Sequence, residues 1–555
     1  MKKLIAMLLA LVMTLSLCVA CGGGNATTNN GGNGGNAGTD EADGPVKLSV
    51  GLNTKATVLS YEENALTYWV EEKVGVDLSF VPYSGGTDVG TQISTTVAAQ
   101  QELPDILFGI GLGTEVYQGY GRDGYFLDLT PYYEDKEGAS KVFWTRLEEN
   151  FTEAEIDDIL RKITDPDTGK IYGVPTMDTT MIDVMDYQMW INQTWLDKLG
   201  LSMPTNLDEL YTVLKAFKEK DPNGNGKADE IPLYGGQEAG LGGDVVNFLV
   251  NNFLYFNDAK NFSIDDNGQV YAPFITDEYR EALKFINKLI KEGLMLDSVF
   301  NTKMSEMPMI TTPASGTAIV GCFAGHLTIH ADYNSPVMLE YTSMPIWCNA
   351  LFNDHRCNMN NFITADCDNP DKAFELMMTL WTEEGSRRVR YGEYGVNWTD
   401  PDAGAVSDLG LPATYKLIRD PLVEQNTCLW SGASCTLCVW AELEDAQVVR
   451  ELSPGEAEKQ RMHAESYANF KAAADKYNPK AENICPTLVL TEEEKDDTQA
   501  QRTACSDYYR KSRTDFCTGD MDPNSDSDWK KYVDTLWDLG LQEWLDVAQV
   551  AYDRG

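Results

Sequence analysis

The stretch VKLSVGLNTKATVLSYEENALTYWVEEKVGVDLSFV, residues 46–81, sets the architecture. Residues 46–52 read as a strand, residues 61–74 carry the apolar period of a helix, and residues 76–81 return to strand. A further helix is expected over residues 90–101. It leads into LPDILFGIG, where the apolar run 106–108 is bounded by Pro104 and Gly109. Strands buried on both faces of a parallel sheet read as short continuous apolar runs of this kind. Strands alternating with helices imply an α/β layer architecture, whose ligands bind in loops beyond the carboxyl ends of the strands. The loops that begin at Asn53 and Gly109 are therefore candidates for a binding cleft.

Ahead of this stretch, Lys2 and Lys3 precede an apolar run over residues 4–20, the pattern of an export signal and too short for a full bilayer span. Ala20 and Cys21 offer a cleavage point, and three glycines follow. The segment resembles a bacterial lipoprotein signal, and the resemblance implies loss of residues 1–20 and lipidation of Cys21. One position departs from that pattern: Cys18 stands where Leu is preferred, and with the bulky Leu17 before it Cys18 is the poorer lipid acceptor. Residues 22–45, GGGNATTNNGGNGGNAGTDEADGP, hold no apolar residue larger than Ala, so ordering them would cost more entropy than burial returns. They read as a flexible tether with a root-mean-square reach of roughly 25–30 Å.

The body, residues 46–555, exceeds one ordinary core and points to two or three domains or to two large lobes. No later apolar run is long enough to cross a bilayer. A net charge of -42 repels phosphate backbones and anionic membranes, which argues against nucleic acid as a partner. Apart from Cys18 and Cys21, ten cysteines lie between Cys322 and Cys517. Their even number permits disulfides outside the cytoplasm and equally permits thiols, and the first half of the body has none.

Residues 205–220 form an amphipathic helix by pattern, with Thr205 as the expected N-cap, Asp208 completing a capping box, and Leu207, Leu210, Leu214 and Phe217 on one face. A second runs over residues 277–291 and stops at Gly293. Near the end, Trp529, Tyr532, Val533, Leu536 and Trp537 repeat the spacing and read as core. Between these helices lies the most specific local signal, DPNGNGKADEIP, residues 221–232. Oxygen-bearing side chains at Asp221, Asn223 and Asn225 alternate, Gly226 allows a sharp turn, Lys227 offers its carbonyl, and Asp229 and Glu230 add carboxylates. Hard Ca²⁺ takes six to eight oxygens, and alternate residues of a wrapped loop supply them. The pattern follows an EF-hand loop through its ninth position and then departs, because Pro232 stands where the bidentate Glu would be. A structural Ca²⁺ site is expected rather than a sensor.

MWINQTWLDKLGLSMPTNLDELYTVLKAFKEKDPNGNGKADEIP, residues 189–232, resembles the signature of extracellular solute-binding lipoproteins of carbohydrate ABC importers, in a large glycan-binding branch common in Firmicutes. LPDILFG from residue 103, DGYFLDLTPYYED from 123, GKIYGVP from 169, TEEGSRRVRYGEYGVNW from 382 and the segment 518–554 support it, so the resemblance covers nearly the whole body. It implies a two-lobed periplasmic-binding-protein-like α/β fold with hinge crossovers and a helical C-terminal region. Lobe 1 would span residues 46–165 and lobe 2 residues 166–355, with GKIYGVP as the first crossing. Residues 356–395 would return to lobe 1, and residues 396–555 would complete lobe 2. The resemblance also implies that Asp221, Asn223, Asn225, Lys227, Asp229 and Glu230 hold the metal. The partners implied are an oligosaccharide and the subunits of an ABC permease, with a monomer anchored on the outer face of the membrane by its lipid.

Sugar capture needs flat apolar faces for pyranose rings and a few polar groups for hydroxyls, and a chain with 12 Trp and 26 Tyr can supply them. Trp398, Trp430 and Trp440 stand among Gly, Ser and Thr rather than in helical periods, which makes them the leading cleft candidates, followed by Tyr117, Asp178 and Asn53. Other signals are weaker. GIGLG lacks the third glycine of a dinucleotide fingerprint, Cys435 and Cys438 have redox spacing without a thioredoxin-like context, and Leu327 replaces the glutamate a zinc protease needs between His326 and His330. Two alternatives remain open: a lipid-anchored glycoside hydrolase, which needs a carboxylate pair about 5–10 Å apart, and a peptide-binding relative of the same fold.

Overall fold

The computed structural model describes residues 44–554, except 85–88, 179–187, 239, 241, 328, 333, 349–355, 408–410, 420, 422–423, 431–437, 440–453 and 478. The opening segment folds as its pattern requires. Strand β1 (Val46–Asn53) pairs in parallel with β2 (Val76–Tyr83), and the helix Ala65–Val74 lies between them. That helix starts later than its period suggests because Asn64 caps it, accepting from the Leu66 amide, and it stops at Gly75, whose φ of 76° an L-side chain rarely adopts. Leu66, Val70 and Val74 are buried on its inner face, each contributing roughly 1.5–3 kcal/mol.

The remaining strands, in chain order, are β3 (Ile106–Phe108), β4 (Val174–Asp178), β5 (Met189–Asn192), β6 (Ile231–Tyr234), β7 (Ser263–Ile264), β8 (Val270–Tyr271), β9 (Val320–Ala324), β10 (Tyr341–Ser343), β11 (Arg356–Ile363), β12 (Trp398–Thr399), β13 (Lys416–Leu417) and β14 (Cys438–Val439). The first sheet runs β14-β4-β11-β3-β1-β2, with β11 antiparallel to both neighbours and the other pairs parallel. The second runs β10-β5-β9-β6, with β5 antiparallel and β6 parallel to β9. β7 with β8 and β12 with β13 form small hairpins.

Each large sheet has its own apolar core. Val50, Leu52, Ile106, Phe108, Phe362, Phe374 and Trp381 belong to the first, and Trp190, Trp195, Leu214, Phe217, Phe248, Ile286 and Phe323 to the second. The C-terminal helices Pro454–Tyr477, Glu492–Thr518, Asp526–Asp538 and Leu541–Asp553 add to the second core, where Trp529 and Tyr532 are buried as expected while Trp537 is exposed. Among the described residues no helix is long and apolar enough to cross a membrane.

Two boundaries differ from expectation. GKIYGVP runs into β4, a strand of the first sheet, so the first passage to the second sheet follows Asp178 instead. The return to the first lobe does not end at residue 395 either: Trp430 packs in the first core and β14 pairs with β4, so the chain leaves that lobe after Val439. The cap of the helix Leu207–Glu219 is likewise Asn206 rather than Thr205. Asn206 accepts from the Glu209 amide, and it is the Glu209 carboxylate, not Asp208, that reaches back to Thr205. The helix Asp277–Lys291 matches its expected bounds, with Thr276 as cap.

Candidate functional site

In the first sheet β1, β2, β3, β4 and β14 all point the same way, so their carboxyl ends, at Asn53, Tyr83, Phe108, Asp178 and Val439, share one edge with the start of β11 at Arg356. The chain leaves for the second lobe from that edge after Asp178 and enters β5 at Met189. The carbonyl of Gln188, just before β5, accepts from the Gly325 amide just beyond the carboxyl end of β9 (2.9 Å). The carboxyl ends of β6, β9 and β10 therefore lie on the side where the passages arrive. Both sheets turn their ligand-accepting edges toward the space between the lobes.

The wall on the first lobe is built from strand ends and amides. The Thr54 amide donates to the Tyr83 carbonyl (2.8 Å), which fixes the turn after β1. Asn361, fully buried, accepts from the Gly109 amide (2.9 Å) and donates to the Val174 carbonyl (3.1 Å), and the Ile110 amide donates to the Asn360 carbonyl (2.7 Å). The glycine-rich turn after β3 is thereby tied to β11 and β4.

Of the residues expected in the cleft, Asn53 is half-buried at the end of β1, and Asp178 lies on the same edge, its backbone paired with Arg356 and Val439. The aromatic candidates are placed differently. Trp430 has no exposed surface: its indole N–H donates to the Thr67 hydroxyl (2.8 Å) and its ring meets Phe80 and Phe108 edge-on at 5.4 and 5.5 Å. Trp398 is also buried, donating to the Gly392 carbonyl (2.9 Å) beside Tyr391 and Tyr415. Tyr117 packs on Phe362 at 5.6 Å, and burial pushes its hydroxyl well above the usual tyrosine range. These three are packing residues in this structure, because an indole or phenol in a polar, glycine-rich neighbourhood still turns inward when a hydrogen-bond partner waits there. Trp440 and Cys21 lie outside the described residues.

The pattern did not anticipate a groove of about 560 Å³ lined from both lobes. Thr114, Glu115, Lys162 and Cys357 face it from the first lobe, and Lys260, Asn261, Lys495, Arg502 and Trp544 from the second. The larger depressions beside Trp69 and beside Trp347 are each lined from one lobe alone. Beside the groove, Asp158 ties the lobes together: it accepts from the Thr487 amide (3.0 Å) and pairs with Lys162 (3.1 Å), and the charges of Lys162 and Lys260 outweigh its burial to hold its carboxyl below the ordinary range. Arg122 reaches across to Glu492 (3.1 Å). The i, i+7 spacing of Lys495 and Arg502 on one helix face was the one sequence signal that pointed here.

The loop 221–230 wraps as its pattern demands. Asp221 has a φ of 44°, and Gly224 and Gly226 have φ of 72° and 75°. Asp221 accepts from the Gly226 amide (3.1 Å), Asn223 from the Asn225 amide (2.9 Å), and Asn225 from the Lys227 amide (2.8 Å), while the amide groups of Asn223 and Asn225 donate to Asp229. Asp221 Oδ1 and Glu230 Oε1 are buried without a hydrogen-bond partner. Burial, then the charges of Asp221 and Asp229, push the Glu230 carboxyl up. Unpartnered carboxylate oxygens crowded in one loop are the donor set a hard cation satisfies. Among the described residues no three acidic, histidine or cysteine side chains gather as a preformed metal cluster, so a cation here would also need the amide and carbonyl oxygens of the loop.

His326 and His330 are held together, the His326 amide donating to His330 Nδ1 (2.7 Å). Cys322, Cys348, Cys357, Cys367, Cys428, Cys505 and Cys517 are free thiols.

Residues 54–313 match the family model of bacterial extracellular solute-binding proteins, the kind of protein the sequence resembles. The chain is 24% identical, over 71% of its length and 71% of the relative's, to FusA of Streptococcus pneumoniae, a fructooligosaccharide ABC transporter substrate-binding protein. It is 34% identical to the lipoprotein LipO of Bacillus subtilis over 31% of this chain and 30% of that one. A solved extracellular solute-binding protein from Bifidobacterium longum subsp. infantis superposes with a TM-score of 0.70 at 19% identity, covering 92% of this chain and 99% of that one. The fold is the periplasmic-binding-protein-like one, with α/β lobes.

Proposed function

We propose, with the family match over residues 54–313 as the premise, that the protein captures an intact oligosaccharide between its lobes and passes it unaltered to the permease of an ABC importer. One observation carries this reading. Two cores, each on its own sheet, turn the carboxyl ends of their strands toward a common space, and the chain passes between them after Asp178, Ser343 and Val439. Such connections let packed halves rotate as rigid bodies about short segments. A ligand that touches both walls then favours the closed arrangement by its differential affinity for it. The role of FusA as a fructooligosaccharide ABC transporter substrate-binding protein supports a glycan as cargo.

The match to bacterial extracellular solute-binding proteins supports a place outside the cytoplasm, and we assign the anchor to a lipid on Cys21 with residues 22–45 as tether. Asp221, Asn223, Asn225, Asp229, Glu230 and the Lys227 carbonyl are assigned to a structural Ca²⁺, on the strength of the unpartnered Asp221 and Glu230 oxygens. The function is tested by titrating the purified body with a panel of glycans and peptides while following tryptophan fluorescence and analysing the mixture by mass spectrometry. A saturable response to glycans, with every glycan recovered intact, is expected. Shortened glycans would mean a hydrolase, and a response to peptides alone would mean a peptide carrier.

A further inference from the structure

The protein carries 86 acidic and 44 basic residues, yet the groove shared by the two lobes has the opposite balance. Lys162, Lys260, Lys495 and Arg502 line it against a single carboxylate, Glu115. Lys162 and Lys260 are already engaged, the first with Asp158 (3.1 Å) and the second with the Thr487 hydroxyl (2.8 Å). Lys495 and Arg502 stand on one face of the helix Glu492–Thr518, and neither has a carboxylate within ion-pair distance among the described residues. Other cations that have no carboxylate within ion-pair distance among the described residues, such as Lys47, Lys73, Lys220 and Lys531, are exposed to solvent. Lys495 and Arg502 are instead half-buried and face one cavity, which marks a place where negative charge is to be supplied from outside. Nearby, Asn261 has a φ of 63°, an uncommon conformation for a residue other than glycine, held by the Tyr509 hydroxyl donating to its side chain (2.9 Å). Leu488, Leu490 and Trp544 give the groove an apolar flank, and its volume falls within the range of about 300–1,000 Å³ that small-molecule sites occupy.

We propose that this groove receives a carboxylate-bearing sugar, a hexuronate unit of the captured oligosaccharide, with Lys495 and Arg502 as the groups that take its carboxylate. The planar guanidinium of Arg502 matches a carboxylate through two parallel N–H donors, and Lys495 adds a point charge. The surrounding acidity excludes anionic glycans elsewhere on the surface, so the local positive field also selects where such a ligand enters. This inference rests on the reading of the protein as an oligosaccharide carrier and narrows it to acidic glycans.

The test is calorimetric titration of the full mature protein with two oligosaccharides of equal length, a galacturonan and a neutral galactan, in wild type and in the double variant Lys495→Gln/Arg502→Gln. Wild type is expected to prefer the galacturonan, with an affinity that falls as salt rises. The preference should drop by about ten- to a hundredfold in the double variant, as loss of charge-assisted hydrogen bonds requires. A Lys495→Arg variant, which keeps the charge, should retain it, and equal melting temperatures show that the variants fold. Equal affinity for the two glycans in wild type, or a preference untouched by the double substitution, overturns the inference. If the galactan alone binds, glycan capture stands and only the acidic-sugar assignment falls. If no glycan of a wide panel binds, the carrier reading fails together with it.

Discussion

Trp430 sits between Phe80 and Phe108 with its indole N–H committed to the Thr67 hydroxyl. Replacing it by Ala leaves a large cavity under β1 and β3 and orphans that hydroxyl, so urea unfolding should show a loss of about 3–5 kcal/mol. A loss under about 1 kcal/mol would place the indole outside the core. Composition around a residue says whether the backbone is irregular, not where the side chain points, and that is why Trp430, Trp398 and Tyr117 read as cleft residues in the sequence and are packing residues in the fold. Asn53 was legible as the end of β1 because the apolar pattern stops there, whereas Asp178, expected just past a crossing, is the last residue of β4. His463 is a second residue with a measurable consequence. Burial lowers its pKa from 6.5 to about 4, so the folded state resists a proton that the unfolded chain accepts. Its contribution is present above pH 6.5 and is lost as pH falls toward 4, up to about 3 kcal/mol. The stability of His463→Gln should therefore depend less steeply on pH between 6.5 and 4 than that of wild type, and parallel curves would show the ring to be solvated. The thiols offer a third check. Burial drives Cys357 to about 12 and Cys505 to about 11, so both should resist alkylation at pH 8 in the native protein and label on unfolding.

Among the elements, the long amphipathic helices were plain in the sequence because burying one face fixes a 3.6-residue period, and Asp277–Lys291 matched to the residue. The strands of the second sheet were not. MWIN, IPLY, VGCFA and YTS are three to five residues long and buried in the sheet, and runs that short carry no period of their own. The first crossing, which the resemblance put at GKIYGVP, comes later because that segment runs into β4, where Pro175 is tolerated at the point the ladder to β11 shifts register between Met359 and Asn361. The loop after the helix Leu207–Glu219 was the easiest element to read, since its chemistry is periodic even where its fold is not. If it holds Ca²⁺, the ion binds the folded form alone. Saturation at about a hundred times Kd then stabilises by about 2.7 kcal/mol. Chelation should lower the melting temperature of the wild type and leave Asp221→Ala, already lowered, where it is. An unchanged wild-type melting temperature would remove the ion from the account.

At the scale of the molecule, two cores within one chain were foreseeable from length alone, because a single core stops growing well short of 500 residues. Which segments returned to which lobe was not, since that depends on strand pairing between residues as distant as Met177 and Cys438. The groove lined from both sides is likewise a product of assembly: Lys162 and Lys495 meet there across more than half the chain. Because both walls are needed to hold a ligand, capture must change the relation between them. Small-angle scattering of the mature protein, with and without a saturating oligosaccharide that chromatography recovers uncut, reads that change. A smaller radius of gyration with ligand, reversed on its removal, is the expected result. A radius that stays the same at full occupancy would contradict the account.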